Sequence, residues 1–250
     1  MMTTHGGKTV YGASVGILML NTRFPRIPGD IGNAVTWPFP VQYKVVTAAT
    51  PDNVVRGDAT PLLDAFIDAG RELVRLGCDG IATNCGFLVP FQTELSRALG
   101  VPVASSSLLQ APLIRQTLPA DQDVGILTIS SETLTNAHLD AAGIPRDTPV
   151  AGTGAGSHFS TQVLGDADQI DFEQARADNV SAAEKLVHAH PTIGAILLEC
   201  TNMVPYAADI RRATGRPVFS IYTYLLWFQS GLLPRRFPSD LDDLPQVRTT

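Results

Sequence analysis

The sequence predicts an α/β protein built from two pseudosymmetric lobes, each a doubly wound parallel sheet. Three observations predict this fold class: part of the chain repeats, short apolar runs bounded by Gly or Pro recur along it, and helical patterns separate these runs. Parallel strands need long crossover connections, which helices usually provide, so the alternation of strands and helices favours a parallel sheet.

The repeat carries one cysteine in each copy. The segment 85–103 recurs as 200–218, so that Cys85 is matched by Cys200. The other identical pairs are Val89/Val204, Pro90/Pro205, Arg97/Arg212, Ala98/Ala213, Gly100/Gly215, Pro102/Pro217 and Val103/Val218. Earlier in each half, Val-Gly-Ile-Leu at 15–18 recurs at 124–127. Two lobes are therefore predicted, the first formed by 1–115 with 217–250 and the second by 116–216.

Continuous β-branched runs are typical of strands that are buried on both faces. Such runs predict strands at 15–20, 43–47, 79–83, 101–104, 123–129, 193–198 and 217–221. Thr60 and Pro61 are suited to the N-cap and first position of a helix over 60–76, which Gly77 ends. Further helical patterns cover 89–99, 131–142, 172–190 and 205–214. The apolar segment 222–228 is either a buried final helix or a dimer contact.

The composition argues against several classes of partner. The chain has 250 residues, 44% of them hydrophobic and 17% charged, and it has no apolar run of the ~20 residues that span a membrane. A net charge of −6 without a block of Lys and Arg argues against nucleic acid or an anionic membrane. We therefore expect a small-molecule ligand.

The cysteine count indicates the redox environment. Three cysteines, an odd number, favour reduced thiols over a disulfide framework. The apolar stretch at 10–20 contains the repeated strand and is not followed by a convincing cleavage site, so it is interpreted as the first strand and not as a signal peptide. A cytoplasmic protein is expected.

Cys85 and Cys200 each follow the end of a predicted strand. In doubly wound sheets, ligands bind beyond the carboxyl ends of the strands. If the two lobes face each other, the two thiols converge on one active site in the cleft between them. A single cysteine often only fills space in a core, and Cys78, at the beginning of its strand, keeps that interpretation. A matched pair at strand ends favours function.

The residues around the two thiols resemble a known family. Thr83-Asn84-Cys85-Gly86 and Glu199-Cys200-Thr201-Asn202 are similar to the paired cysteine motifs of the aspartate/glutamate racemase superfamily. The resemblance covers the chain from Val15 to about Tyr224. It implies two pseudosymmetric α/β lobes, a homodimer or higher homo-oligomer, and catalysis without a cofactor. Relatives in the superfamily include hydantoin racemase, maleate isomerase, arylmalonate decarboxylase and dimethylsulfoniopropionate lyase.

The resemblance also implies a mechanism. One cysteine, as thiolate, removes a proton from the carbon next to a carboxylate, and the other, as thiol, delivers a proton to the opposite face. A thiol with an ordinary pKa near ~8.5 needs hydrogen-bond donors, a helix N-terminus or a cation to act as a base at neutral pH. Asn84, Thr201 and Asn202 are candidate donors to the thiolate or to the substrate, although ordinary loop hydrogen bonding explains each of them singly as well.

The sequence departs from the amino-acid racemases beside both thiols. Gly86 follows the first cysteine where those enzymes have Asn; Glu199 precedes the second where they have Gly, and Asn202 replaces a His of the glutamate racemases. A carboxylate at Glu199 would raise the pKa of the thiol and repel an anionic ligand unless it points away or pairs with a cation. Two interpretations of Glu199 remain: it pairs with an ammonium or sulfonium group of the substrate, or it has a structural role.

The loop after the first strand contains further candidates for substrate binding. Asn21 lies where the family binds substrate, and either Arg23 or Arg26 could hold a carboxylate with two hydrogen bonds. The alternative is that both arginines are exposed to solvent and bind no substrate. The glycine-rich segment 152–157 lacks the spacing of a nucleotide-binding loop, and the five His residues lack metal-ligand spacing. No metal and no cofactor are expected.

Together these features predict a cofactor-independent racemase or isomerase for an amino acid or a derivative of one. It would act by proton transfer at a carbon α to a carboxyl or amide carbonyl, with Cys85 and Cys200 as the catalytic pair. The predicted substrate-binding residues are Asn21, Arg23, Asn84, Gly86, Thr201 and Asn202. The alternative within the superfamily is a lyase or decarboxylase. The alternative from another class is a two-lobed protein that binds a small molecule without reaction.

Overall fold

The computed structural model describes residues 6–237, which form two parallel sheets flanked by helices. The strands are β1 (Val15–Leu20), β2 (Val41–Val46), β3 (Gly80–Thr83), β4 (Val103–Ala104), β5 (Asp123–Thr128), β6 (Val150–Gly152), β7 (Ile193–Leu198) and β8 (Val218–Phe219). The α-helices are α1 (Leu63–Leu76), α2 (Gln92–Leu99), α3 (Ala111–Thr117), α4 (Asn136–Ala141), α5 (His158–Leu164), α6 (Phe172–Ala189), α7 (Ala207–Thr214) and α8 (Ile221–Leu232). Short helical turns are Ala34–Thr36, Asp52–Arg56, Thr60–Leu62, Gly86–Phe91, Ser107–Gln110 and Thr201–Tyr206.

The two sheets have the same topology, as the internal repeat predicts. The strand orders are β2-β1-β3-β4 and β6-β5-β7-β8, and every pair is parallel. The central strands β1, β3 and β7 are buried along their whole length, because helices cover both faces of such a sheet. The prediction of two doubly wound parallel-sheet lobes is confirmed.

Several element boundaries differ from the prediction. The helix predicted at 89–99 begins as the 3₁₀ turn Gly86–Phe91 and becomes α2 only after Pro90, whose ring and missing N–H do not suit an α-helix interior. The turn Thr201–Tyr206 before α7 contains Pro205 in the same way. Helix α1 ends as predicted at Gly77, whose φ of 116° is accessible to glycine at little cost. Helices α3 and α5 and strand β6 were not predicted.

The helix that follows each sheet packs against the other sheet. The predicted division assigned 217–250 to the first lobe, but β8 pairs with β7 in the second sheet, which corrects the division at that point. Helix α8 does pack on the first sheet, where Ile221, Leu225 and Phe228 share an apolar cluster with β1. Conversely, α3 follows the first sheet and packs against β5 of the second. Residues 238–250 lie outside the described residues.

Candidate active site

The two repeat cysteines lie at equivalent positions in the two lobes. Cys85 follows β3 and caps the turn Gly86–Phe91, and Cys200 follows β7 and caps the turn Thr201–Tyr206. Both thiols are free and buried, with 9% and 7% of their surface exposed. They line the same pocket, of ≈ 380 Å³ empty volume, beyond the carboxyl ends of the strands. The structure therefore brings the predicted catalytic pair together.

The pocket lining is mostly apolar, with a smaller number of polar groups. Both lobes contribute residues of each kind. The apolar lining residues are Leu20, Phe24, Pro51, Val55, Phe87, Ile129, Val163 and Leu164. The polar lining residues, apart from the thiols, are Thr22, Arg26, Asn84, Glu199, Thr201 and Asn202, and the backbone of Gly86 completes the wall. Such a lining suits a small ligand with one polar end.

Hydrogen bonds between the lobes hold the two cysteine segments in place. The Thr201 hydroxyl donates to the Asn84 carbonyl oxygen at 2.6 Å, across the cleft. The Ser107 hydroxyl, from the first lobe, donates to the Leu198 carbonyl oxygen at 2.7 Å, at the end of β7. The Asn84 side-chain oxygen accepts from the Leu20 backbone N–H at 2.8 Å. Asn84 and Thr201 thus position the backbone on either side of the thiols.

A network of polar contacts connects Arg26 with the thiol of Cys200. The Arg26 guanidinium donates to the Asp30 carboxylate at 2.7 Å and to the Thr22 hydroxyl at 2.9 Å. The Asn202 amide donates to the other oxygen of Asp30 at 2.6 Å, and the Cys200 Sγ lies 3.7 Å from the Asn202 side-chain oxygen. The positive charge in the pocket wall is therefore already paired with Asp30, and Thr22 and Asn202 carry polar atoms to the pocket.

Two predicted substrate-binding residues lie outside the pocket lining. Arg23 is exposed and pairs with Asp166 of the second lobe, with 3.4 Å between Nε and Oδ2. Asn21 is exposed as well, and its amide donates to the Thr47 carbonyl oxygen at 3.3 Å. The loop turns after Thr22 so that Phe24 and Arg26 face the pocket. Of the two arginines that the sequence left open, Arg26 is the one in the wall.

Glu199 lies in the pocket wall between the two cysteine segments. Its side chain is fully buried, and its Oε2 accepts a hydrogen bond from the Thr128 hydroxyl at 2.7 Å. Its other oxygen, Oε1, has no hydrogen-bond partner and lies beside Gly86. Burial raises the pKa of this carboxyl to about 7, and the hydrogen bond from Thr128 offsets part of the rise.

Burial also raises the pKa of both thiols well above the usual value of 9.0. The nearby negative charge of Glu199 raises the thiol pKa values further, whereas backbone N–H groups of Phe87 and Asn202 lower them. A neutral Glu199 would remove its share of the rise. Either thiol becomes a base only when a bound ligand or its surroundings favour the thiolate.

No family model matches the chain. A dimethylsulfoniopropionate lyase of Durusdinium sp. clade D is 29% identical over 227 residues, which cover 88% of this chain and 75% of that protein. Dimethylsulfoniopropionate lyase 6 of Emiliania huxleyi is 30% identical over 219 residues, 84% of this chain and 57% of the algal protein. The chain thus spans three quarters of the first relative and little more than half of the second.

Solved structures agree in fold at low identity. Unliganded arylmalonate decarboxylase has a TM-score of 0.55 at 15% identity, over 88% of this chain and 92% of that one. Allantoin racemase from Pseudomonas fluorescens has a TM-score of 0.55 at 17% identity, over 87% and 90% of the two chains. Picrophilus torridus aspartate racemase has a TM-score of 0.55 at 15% identity, over 91% and 96%.

The chain is thus similar in sequence to dimethylsulfoniopropionate lyases and in fold to a decarboxylase and to racemases. These similarities agree with the resemblance of its two cysteine motifs to the aspartate/glutamate racemase superfamily. Within the superfamily, the sequence relatives are named as lyases, whereas the fold neighbours include racemases and a decarboxylase.

Several residues that line the pocket or support its lining were missed by sequence reasoning. Thr128 ends β5, at the position in the second sheet that corresponds to the end of β1 in the first, so the repeat itself could have pointed to it. Val163 and Leu164 belong to α5, which was not predicted, although Ser157 is a recognisable N-cap for that helix. Asp30 carries no signal in the sequence, because its role depends on where Arg26 and Asn202 meet.

Residues 6–237 contain no group of three or more His, Cys, Asp or Glu side chains placed to hold a metal ion. Within the same range, no helix is both long and apolar enough to cross a membrane. The expected homo-oligomer and the cytoplasmic compartment stay predictions.

Proposed function

We propose that the protein is an enzyme that removes a proton from a carbon α to a carboxylate, with Cys85 or Cys200 as the base, and that its reaction eliminates a neutral sulfide from a sulfonium substrate. The observation that carries the first part is the convergence of two equivalent thiols on one buried pocket. The elimination is supported by the curated relatives, which cover 84–88% of this chain and are named dimethylsulfoniopropionate lyases.

Dimethylsulfoniopropionate suits this chemistry because it carries a carboxylate, an acidic α carbon and a leaving group on the next carbon. One cysteine, as thiolate, takes the α proton and becomes a thiol. The electron pair of the broken C–H bond forms the carbon–carbon double bond, and the carbon–sulfur bond breaks with its pair on sulfur. The products are acrylate and dimethyl sulfide, and the thiol later loses its proton to solvent.

The pocket lining offers candidate groups for both ends of such a zwitterion. Three kinds of group are candidate donors to a substrate carboxylate. They are the hydroxyl of Thr22, whose oxygen accepts from Arg26, the N–H of the Asn202 amide that is not bonded to Asp30, and the backbone N–H groups that follow each cysteine. The Arg26 guanidinium already lies over the ring of Phe24, 4.4 Å from its centroid, so the ring of Phe87 is the candidate to receive the methyl groups of a sulfonium cation, because aromatic faces attract cations. Exclusion of water by the apolar wall strengthens both contacts.

Racemisation is the second candidate, and the presence of two thiols favours it. Elimination needs only one base, whereas inversion needs an acid on the face opposite to that base. The sulfonium compound has no stereocentre at its α carbon, so the two reactions are distinguished by substrate.

The deciding experiment follows proton NMR in deuterated water with dimethylsulfoniopropionate, aspartate, glutamate, hydantoins and arylmalonates. The proteins are the wild type, Cys85→Ser, Cys200→Ser and the matched control Cys78→Ser, since Cys78 is buried at the start of β3 and does not line the pocket. We expect dimethyl sulfide and acrylate from the wild type and the control, and a loss of 10²-fold or more, roughly the contribution of an acid–base residue, in at least one of the other two.

Deuterium incorporation with inversion of an amino acid or hydantoin, lost in both pocket variants, would instead establish the racemase. Equal activity in all four proteins would remove the thiols from the mechanism altogether.

A further inference from the structure

The unpartnered oxygen of Glu199 carries an inference that rests on the proposed function and deepens it. Glu199 is fully buried, yet only one of its two carboxyl oxygens is hydrogen-bonded, to Thr128. The second, Oε1, is buried and unpaired beside Gly86, and both Gly86 and Glu199 line the pocket that holds both thiols. A buried polar atom without a partner is costly, so an oxygen left free at a ligand pocket points to a partner that the ligand supplies.

The surroundings of Glu199 decide whether that partner is a donor or an acceptor. The titratable groups that face it are Cys85 at the end of β3 and Cys200 at the end of its own strand, β7. From β5 it meets the neutral hydroxyl of Thr128. The pocket's arginine, Arg26, is bonded to Asp30. No unpaired cation within residues 6–237 faces Glu199 to stabilise it as a carboxylate.

An ionised Glu199 would oppose the proposed reaction twice. It would raise the pKa of both thiols, so that the base would form less readily, and it would repel the substrate carboxylate. A protonated Glu199 removes both effects and adds an O–H donor. Burial favours that form, since it raises the pKa of the carboxyl to about 7.

We infer that Glu199 is protonated during turnover and donates a hydrogen bond from Oε1 to a carboxylate oxygen of the substrate. When the thiolate takes the α proton, the electron pair of the C–H bond spreads onto that carboxylate, and the donor stabilises the added charge. The pair then forms the double bond as the carbon–sulfur bond breaks. Glu199 keeps its proton throughout, so the thiol alone carries the proton that the substrate loses.

The test compares Glu199→Gln with Glu199→Met. Gln keeps a donor of similar shape but does not titrate, whereas Met fills similar space without a donor. We expect Gln to retain activity within about tenfold and Met to lose about 10²–10³-fold, the loss typical of removing one oxyanion donor. The pH profile separates this role from a structural one: activity of the wild type falls as Glu199 ionises above its pKa of about 7, and the Gln variant lacks that fall.

A Gln variant as inactive as Met, or one that keeps the same fall in activity above neutral pH, would overturn the inference. The first result would indicate that the ionised carboxylate is required, for example as a base or as a partner for the sulfonium group.

A spectroscopic measurement tests the protonation itself, whether or not the protein acts on dimethylsulfoniopropionate. Infrared difference spectra of wild type minus Glu199→Gln, each without ligand, report a protonated carboxyl through its C=O stretch. We expect that band below about pH 7 and its loss above, in step with the pKa of the group. Absence of the band near pH 6 would overturn the inference. Absence of dimethyl sulfide from the wild type, with the band present, would count only against the proposed substrate.

Discussion

At the scale of single residues, the contact between Gly86 and Glu199 explains why both positions depart from the amino-acid racemase pattern. Both depart from the amino-acid racemase pattern, which has a side chain after the first cysteine and Gly before the second. A Cβ atom at position 86 would lie 2.6 Å from the Glu199 carbonyl oxygen and closer still to Oε1. Because Gly86 has no side chain, the space beside it is free for the side chain of Glu199 from the other lobe. The sequence shows each departure, but only the structure shows that they are in contact.

Replacement of Gly86 by Ala should therefore disturb Glu199 and both thiols. Because the colliding atoms include backbone, we expect a loss of about 1–3 kcal/mol in the free energy of unfolding, as for overpacking of a core, and a marked loss of activity. Denaturant unfolding and the NMR assay check this. Gly231→Ala is the matched control, since an added Cβ meets nothing within 4 Å on helix α8. Unchanged stability and activity in Gly86→Ala would contradict the contact.

The buried carboxyl of Glu199 also predicts how stability depends on pH. Its pKa rises from the usual 4.5 to about 7 in the folded protein, so the folded chain binds this proton more tightly than the unfolded chain does. The resulting stabilisation is complete below about pH 4.5 and is lost as the pH rises through 7. A shift of this size corresponds to roughly 3 kcal/mol.

Urea unfolding of wild type and Glu199→Gln across this range measures the effect. The difference between their free energies of unfolding should change by about that amount, with wild type losing stability relative to Gln as pH rises. Parallel pH profiles would show that the carboxyl is not buried.

At the scale of elements, the sequence predicted best those that are buried on both faces. Strands β1, β3, β5 and β7 fall within a residue or two of their predicted limits, because a continuous apolar run between Gly and Pro has few other solutions. The unpredicted helices α3 and α5 are only seven residues long, too short for a helical period to stand out. The 3₁₀ turns after the cysteines depend on prolines whose effect on helix type is hard to read from spacing alone.

Ser107 shows how a short element can support a strand of the other lobe. It begins the turn Ser107–Gln110, and its buried hydroxyl contacts the carbonyl oxygens of Leu198 and Glu199 at 2.7 and 3.2 Å. Ser107→Ala should cost about 1–3 kcal/mol, since it leaves buried acceptors without a donor, and should lower activity by displacing the end of β7. Ser96→Ala, which removes an exposed hydroxyl from helix α2, is the control. Equal unfolding midpoints for the two variants would contradict this role.

At the scale of the whole molecule, residues of both lobes form the site, and contacts between the lobes keep these residues together. The repeat predicted that Cys85 and Cys200 are equivalent, and the strand ends predicted where they lie. Neither could predict which residues close the pocket, because that depends on how the loops of one lobe meet the other. Arg23 and Arg26 illustrate this: three positions apart, one binds the opposite lobe at the surface and the other lines the pocket.

Asp166 connects the loop after β1 in the first lobe with the end of α5 in the second. It follows α5, two residues after Leu164 of the pocket wall, and has a φ of 50°, unusual for a residue with a side chain. Its carboxylate accepts hydrogen bonds from the backbone N–H groups of Arg23 and Phe24, at 2.6 and 3.4 Å. Because Phe24 lines the pocket from the first lobe and Leu164 lines it from the second, Asp166 joins the two lobes beside the pocket.

Asp166→Ala should therefore let the pocket open more often. We expect alkylation of Cys85 and Cys200, followed by mass spectrometry at alkaline pH, to become about tenfold faster, which corresponds to about 1.4 kcal/mol, near the net value of one hydrogen bond to a charged group. Cys78, outside the pocket, reports global unfolding and should react at an unchanged rate. Arg23→Ala is the control, since it removes only an exposed ion pair and leaves both backbone donors in place. If all three thiols react faster together, Asp166 stabilises the fold as a whole. If none does, the other contacts between the lobes, such as the hydrogen bonds of Thr201 and Ser107, keep the pocket closed without Asp166.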